Sequence, residues 1–168
     1  MKAILQDEPG GNLYIKDVPI PEPGPGEVLV KMSYSPVNPS DLSMLQGTYV
    51  GRPEYPVIPG IEGSGVVVEN GKGLIGWARK GKRVACTASA HRPGAWAEYM
   101  ITSSFRVIPL DRCIDDEQGS MLLVNPLTAV SFIELAKKNR QKTIVNNAAA
   151  STLGKMLVYL CRMNKINL

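Results

Sequence analysis

The sequence predicts an α+β protein in which a turn-rich β domain, residues 1–115, precedes the start of a parallel α/β unit, residues 116–168. Ten of the thirteen prolines fall before Ile61, which indicates many turns in the front part of the chain. Apolar and polar residues alternate over 28–35 with the period of two that is typical of a strand. After about Asp115 the apolar spacing becomes that of a helix.

Short strands separated by turns are expected throughout the β domain. The alternating segment 28–35 follows a run rich in proline and glycine at 21–26. Similar apolar segments predict further strands at 1–5, 13–17, 63–69, 83–87 and 95–101. A series of short strands of this kind favours a small barrel or sandwich.

The last third of the chain predicts helix, strand, turn and helix in that order. Asn125 followed by Pro126 is typical of an N-cap and a first helical residue, and apolar residues then recur at helical spacing as far as Ala136. Residues 143–146 predict a short strand. Apolar residues from Leu153 to Leu160 predict a second helix, after which 166–168 is expected to begin another strand.

The turn between that strand and the second helix resembles a dinucleotide-binding fingerprint, G-x-G-x-x-G. Ala149 and Ser151 replace the first two glycines, and Gly154 occupies the third position, where a small residue lets helix and strand pack closely. Amides at the start of the helix would face a pyrophosphate, and Ser151 and Thr152 would add hydroxyl donors. The alternative is a turn of small residues that serves packing alone. The residue that selects NAD or NADP is expected about 20 positions further on, beyond Leu168.

Composition excludes several classes of protein. With 44% apolar and 20% charged residues, the chain is neither disordered nor collagen-like. The basic residues behind the net charge of +4 are scattered, so no nucleic-acid partner is expected. No apolar run approaches the roughly 18 residues of a bilayer span and the first residues do not resemble a secretory signal, so we expect a cytoplasmic protein without a membrane partner. The spacing of the three cysteines indicates neither a disulfide framework nor a zinc knuckle.

Several motifs together make the chain resemble one enzyme family. They are the segments 23–31, 36–41, 46–49, 56–63, 94–99 and 125–129, together with the small-residue turn that ends at Gly154. These segments are similar to the medium-chain dehydrogenase/reductase family, in particular its zinc-free enoyl thioester reductase and quinone oxidoreductase branches. The resemblance implies a GroES-like β-barrel catalytic domain followed by a Rossmann domain of which the chain contains only the beginning.

The resemblance also bears on metal binding. Zinc-containing members of the family have a cysteine near the position of Asn38 and a histidine where this chain has Ile61. One histidine, His91, and three scattered cysteines cannot supply the three or four ligands that zinc needs. We therefore expect no metal site.

The resemblance further implies which residues act on substrate and cofactor. Tyr49 matches a tyrosine proposed to act at the substrate of enoyl thioester reductases. A phenol, which is a neutral donor at pH 7, would stabilise an enolate oxygen or protonate the α-carbon there. The alternative is a loop aromatic that only covers apolar surface. Asn38 would line the same cleft, or form only an Asn-Pro turn. The expected cofactor-binding residues are Thr128, Ala149, Ser151, Thr152, Leu153 and Gly154.

The function expected for the complete enzyme is NADPH-dependent reduction of an activated carbon–carbon double bond in a small-molecule substrate such as a 2-enoyl thioester. Quinone reduction is the first alternative. A stand-alone GroES-like module that binds or oligomerises without catalysis is the second. Because apolar helix faces after Asp115 would lie partly open in the absence of further strands, we also expect either a homo-oligomer formed through this region or local disorder of the region.

Overall fold

The computed structural model describes residues 1–49, 54–89 and 92–168, and it places the chain in two compact units, Met1–Met121 and Leu122–Leu168. None of the helices within these ranges is long and apolar enough to cross a membrane. The α+β class and the GroES-like architecture expected from the sequence are confirmed.

The first unit contains a small sheet of two antiparallel strands. Strand β1 (Lys2–Leu5) pairs with β2 (Tyr14–Asp17), and Ile4 lies opposite Ile15. Every second residue of β1 is buried, as the alternation predicts. Single bridges from Ala3 to Ala97 and from Gln6 to Val57 join β1 and the residue after it to other parts of the unit.

The larger sheet has five strands, all antiparallel to their neighbours, in the order β6-β3-β4-β5-β7. Its strands are β3 (Glu27–Tyr34), β4 (Glu62–Asn70), β5 (Arg83–Thr87), β6 (Tyr99–Ser103) and β7 (Val107–Pro109). Apolar side chains from all five strands form one buried cluster, which includes Val30, Val67, Val84 and Met100. Strand β4 approaches β3 so closely that a Cβ at Gly65 would lie 2.1 Å from the carbonyl oxygen of Lys31. Glycine is therefore required at this position.

The first unit also contains three short helices, of which the first two lie between strands and the third follows the last strand. They are α1 (Pro39–Leu45), α2 (Leu74–Arg79) and α3 (Asp116–Ser120), and a 3-10 turn lies at Ser104–Arg106. Helices α1, α2 and α3 and strand β7 were not expected from the sequence. Each is seven residues or shorter, which is too short to show a clear apolar period.

The second unit consists of two packed helices, α4 (Val124–Lys138) and α5 (Thr152–Met163). Ile133 and Ala136 of α4 pack with Cys161 of α5 and with Ile166 in a small buried cluster. The strand expected at 143–146 is reduced to one parallel bridge between Thr143 and Asn167. The prediction of a strand at 143–146 is therefore wrong in extent, because within the described residues its only bridge is the one to Asn167.

Two other boundaries differ from the predicted ones. Helix α4 begins one residue before Asn125, with Leu123 at the N-cap position, so Asn125 is not the cap. Pro126 is tolerated at the third helical position because the first N–H groups of a helix have no partner within it. Strand β6 begins at Tyr99 rather than at residue 95, because the N–H groups of Ala95 and Trp96 donate to the carbonyls of Gly60 and Pro59 instead of pairing with β3.

The division between the units falls after Met121, six residues later than the expected boundary. Helix α3 belongs to the first unit because it is bonded to the large sheet. The Asp116 carboxylate accepts a hydrogen bond from Arg83 Nε at 2.7 Å, and its carbonyl oxygen accepts one from the buried Ser64 hydroxyl.

Candidate functional site

Asn38 lies at the N-cap of α1, the position that the Asn-Pro sequence favours. Its backbone N–H donates to Asp41 Oδ2 at 2.7 Å, and the side chain is 6% exposed. The local sequence therefore folds so that Asn38 is fixed by a carboxylate three residues further along the chain.

The Asn38 side chain is oriented by a second buried carboxylate. Its amide Nδ2 donates to Oε1 of Glu62 at 3.0 Å, and Glu62, the first residue of β4, is 1% exposed. Asp41 Oδ1 meanwhile accepts from the N–H of Ile61 at 3.0 Å. The start of α1 and the start of β4 are thus joined through Asn38, Asp41 and Glu62.

This cluster has unusual protonation properties. Burial raises the pKa of the Asp41 carboxyl above its ordinary value; donors at Asn38 and Ile61 oppose the shift and the Glu62 carboxylate adds to it. Burial, with a smaller contribution from Glu62, raises the pKa of the Cys86 thiol to about 12. Cys86 is therefore a neutral thiol at pH 7 and is not a nucleophile.

Tyr49 follows the C-terminal end of α1. Gly47 has a φ of +70°, and the N–H and hydroxyl of Thr48 both donate to the carbonyl of Ser43, at 3.0 and 3.1 Å. These contacts close the helix and fix the chain just before Tyr49, whose side chain is 45% exposed. Asn38 and Tyr49 thus flank α1, whose seven residues span about 10 Å along the axis. Residues 50–53, directly after Tyr49, lie outside the described part of the chain.

In the second unit, the turn before α5 is held by its own side chains. The Ser151 hydroxyl donates to the carbonyl of Ala148 at 2.7 Å and accepts from the N–H of Gly154 at 3.0 Å. A Cβ at Gly154 would lie 2.4 Å from that same Ala148 oxygen. Ala149 is exposed in the turn, and Thr152 and Leu153 begin the helix.

Two of the residues expected to bind the cofactor already donate their hydroxyl hydrogen bonds to backbone carbonyls. Because the Ser151 hydroxyl proton is directed at Ala148, Ser151 does not offer the hydroxyl donor that was expected of it. Thr128 Oγ1 donates to the carbonyl of Val124 in its own helix at 2.6 Å, which leaves its oxygen as an acceptor. Among the described residues, none accepts a hydrogen bond from the backbone N–H of Thr152 or Leu153.

Asp41 and Glu62 were not among the expected site residues. Both lie within motifs that the sequence shares with the resembled family, but polar residues are mostly exposed, and nothing in the local pattern marks these two as buried. The signal that was present is the Asn-Pro-x-Asp spacing, which is typical of a helix start with a carboxylate at its third position.

Metal-binding side chains are sparse in the described ranges. No group of three or more His, Cys, Asp or Glu residues there lies close enough to hold a metal ion. His91 falls outside these ranges. The expectation of a protein without zinc stays a prediction.

Comparison with known proteins places the chain in a family. Residues 24–112 match the family described as alcohol dehydrogenase GroES-like domain. A mitochondrial enoyl-[acyl-carrier-protein] reductase of Caenorhabditis elegans is 38% identical over 154 residues, which is 89% of this chain and 43% of the relative.

Two solved structures are also similar to this chain. A putative NADPH:quinone reductase from Mesorhizobium loti matches with a TM-score of 0.89 at 31% identity, covering 99% of this chain and 52% of the other. A quinone oxidoreductase from Thermus thermophilus, solved alone and with NADPH, matches with a TM-score of 0.83 at 29% identity, covering 99% and 51%. The chain therefore spans about half the length of these proteins. It belongs to the alcohol dehydrogenase GroES-like family, within the medium-chain dehydrogenases/reductases.

Proposed function

We propose that this chain carries the substrate-binding part of a zinc-free, NADPH-dependent oxidoreductase that reduces an activated carbon–carbon double bond, such as that of a 2-enoyl thioester. The observation that carries the proposal is the Asn38–Glu62 hydrogen bond of 3.0 Å. This hydrogen bond orients the Asn38 amide near the position where zinc-containing members of the family have a cysteine. The sequence identity of 38% to an enoyl-[acyl-carrier-protein] reductase, over 89% of this chain, supports the choice of substrate class.

The residues at this position do not fit a zinc ion. An amide nitrogen that donates to Glu62 has no free electron pair for a metal, and Ile61 supplies only hydrocarbon. We therefore assign no step to zinc.

The start of α5 fits a dinucleotide phosphate. The N–H groups of Thr152 and Leu153 have no acceptor among the described residues, and a helix N-terminus favours an anion through its N–H groups and dipole. Gly154 allows the turn to lie against the helix, where a Cβ would collide with it. NADPH bound here would supply a hydride to the substrate.

Tyr49 would donate a hydrogen bond to the thioester carbonyl oxygen as negative charge develops there. Its half-exposed phenol, which follows a helix closed by Gly47 and Thr48, is accessible to a substrate. Such a donor stabilises the transition state more than the ground state. Asn38 would contact the substrate in the same cleft.

The test uses a version of the protein extended to the full length of its relatives. Tyr49→Phe should lower kcat for a short 2-enoyl thioester about 10- to 1000-fold, as expected for the loss of one transition-state donor. Tyr34→Phe is the matched control, since Tyr34 is also half-exposed but lies at the end of β3, and its kcat should be unchanged. An unchanged kcat in Tyr49→Phe would show that Tyr49 is only structural.

Quinone reduction is the second candidate, because both solved structures described above bear that name. Comparing NADPH oxidation by the extended protein with an enoyl thioester and with a quinone separates the two. A chain that binds neither NADPH nor substrate when extended would favour the non-catalytic module. A cytoplasmic location and a homo-oligomeric state complete the proposal.

A further inference from the structure

Three large apolar side chains on neighbouring segments of the first unit are exposed to solvent. Leu74 is 85% exposed, Trp77 73% and Phe105 80%, among the highest values for large apolar residues in the described ranges. We call these three residues the apolar tip. Exposure of this degree at three neighbouring positions is unusual, since exposed apolar residues are normally scattered.

The backbone brings the three residues together. Leu74 and Trp77 are three positions apart on α2, so they lie on adjacent parts of one face, while Gly76 points inward, where a Cβ would meet Asn70 and Val28. The N–H of Gly26 donates to the carbonyl of Lys72 at 2.9 Å, and its carbonyl accepts from the N–H of Ser104 at 2.8 Å. The residues next to α2 and the 3-10 turn that carries Phe105 are thereby held side by side.

Basic residues lie close to the apolar tip along the chain. Lys72, Arg79, Lys80 and Lys82 lie on or beside α2, and none of them forms an ion pair with another described residue. Arg106 follows Phe105 directly. Residues 70–82 contain no acidic residue, and the nearby Glu27 is already paired with Arg92 at 2.8 Å.

The glycines on both sides of α2 lie in open space. Gly73 and Gly81 flank α2 with φ angles of +117° and +77°, and a Cβ at either would meet nothing within 4 Å. Exposed apolar side chains beside lysine and arginine suit a lipid surface, because the apolar side chains enter the acyl boundary while the cations contact anionic headgroups. A protein partner would instead need a broad complementary face.

We propose that the apolar tip and its cations form a peripheral docking site for an anionic phospholipid membrane. The expectation that the protein has no membrane partner rested on the lack of a spanning segment, which a peripheral site does not need. This inference is independent of the proposed enzymatic reaction.

Sedimentation of the chain with phosphatidylcholine vesicles, with and without phosphatidylserine, tests the proposal. The wild type should bind only the vesicles that contain phosphatidylserine, and added salt should weaken the binding. The double variant Trp77→Ser/Phe105→Ser should lower the partition coefficient at least about tenfold. Lys72→Glu and Lys80→Glu should each lower it at least about fivefold.

Ile15→Ser is the matched control, since Ile15 is 71% exposed and lies with residues 33–35 near the far end of β3, which is about 23 Å long. Its binding should equal that of the wild type. No binding by the wild type, or an equal loss in Ile15→Ser, would overturn the proposal. Binding to poly-glutamate but not to vesicles would also overturn it, by assigning the surface to an acidic protein.

Discussion

Replacing Gly154 with alanine should destabilise α5, although helix propensity alone predicts the opposite. In a helix interior, alanine is more favourable than glycine by about 1 kcal/mol. The new Cβ, however, would lie 2.4 Å from the carbonyl oxygen of Ala148 and 2.6 Å from that of Ala149, whereas ordinary contact begins at 3.4 Å. The helix must therefore retreat by about 1 Å from two backbone atoms that cannot rotate away, and overpacking of this kind costs about 1–3 kcal/mol.

Gly154→Ala should therefore lower the stability of α5 by about 1–2 kcal/mol. This is the upper part of the overpacking cost minus the gain in helix propensity. Hydrogen exchange of the α5 amides should then be about 5- to 30-fold faster than in the wild type. Lys155→Ala is the control. Lys155 is the exposed neighbour of Gly154, so its substitution should change the free energy of opening of α5 by no more than about 0.5 kcal/mol. Slower exchange in Gly154→Ala would show that propensity dominates and that the close approach is not a constraint.

Three further predictions concern protonation, association and cofactor binding. Because the folded state raises the pKa of Asp41, the stability from this carboxyl is fully present below its ordinary pKa of 3.8 and is lost as pH rises through the folded pKa. In urea unfolding, the free energy of unfolding of the wild type should therefore fall relative to that of Asp41→Asn as pH rises. A difference between the two free energies that does not change with pH would contradict this prediction. The chain should self-associate through the second unit, where a groove of about 640 Å³ lies between α4 and α5 and Val145 is 92% exposed. Light scattering that shows a monomer at high protein concentration would argue against this prediction. The chain should bind NADPH poorly in a fluorescence titration, because the adenosine half of a doubly wound site needs further strands, and a micromolar dissociation constant would refute that.

The sequence predicted the two long helices and most of the strands, but it predicted none of the short helices in the described part of the chain. Strand β5 was predicted at its observed bounds, and α4 and α5 were both predicted as helices from the spacing of their apolar residues. Burial of one face of an element leaves a clear period in its sequence. Helices α1 and α2 are positioned by glycines and by contacts with distant strands. Gly76, for example, lies against Val28 of β3 as well as against Asn70, and no local pattern reveals the contact with β3.

The candidate site was predicted only in part for a similar reason. Asn38 and Tyr49 were identified through resemblance, and the structure gives Asn38 a defined partner. Glu62 and Asp41 were missed because their importance depends on burial, which is decided by how α1 meets β4 across more than 20 residues of chain. In the second unit, Ser151 was expected to bind the cofactor, whereas its hydroxyl bonds to Ala148 and Gly154 within the turn itself.

The bonding of α3 to the large sheet decides how the first unit can be isolated. A fragment that ended at residue 115 would remove Asp116, and with it the acceptors of both Ser64, which is completely buried, and Arg83. A buried hydroxyl without a partner destabilises a fold by about 1–3 kcal/mol, a large share of the stability of a small domain. A fragment that extends to Met121 retains both acceptors, so expression of the β domain alone should end there rather than at the last strand.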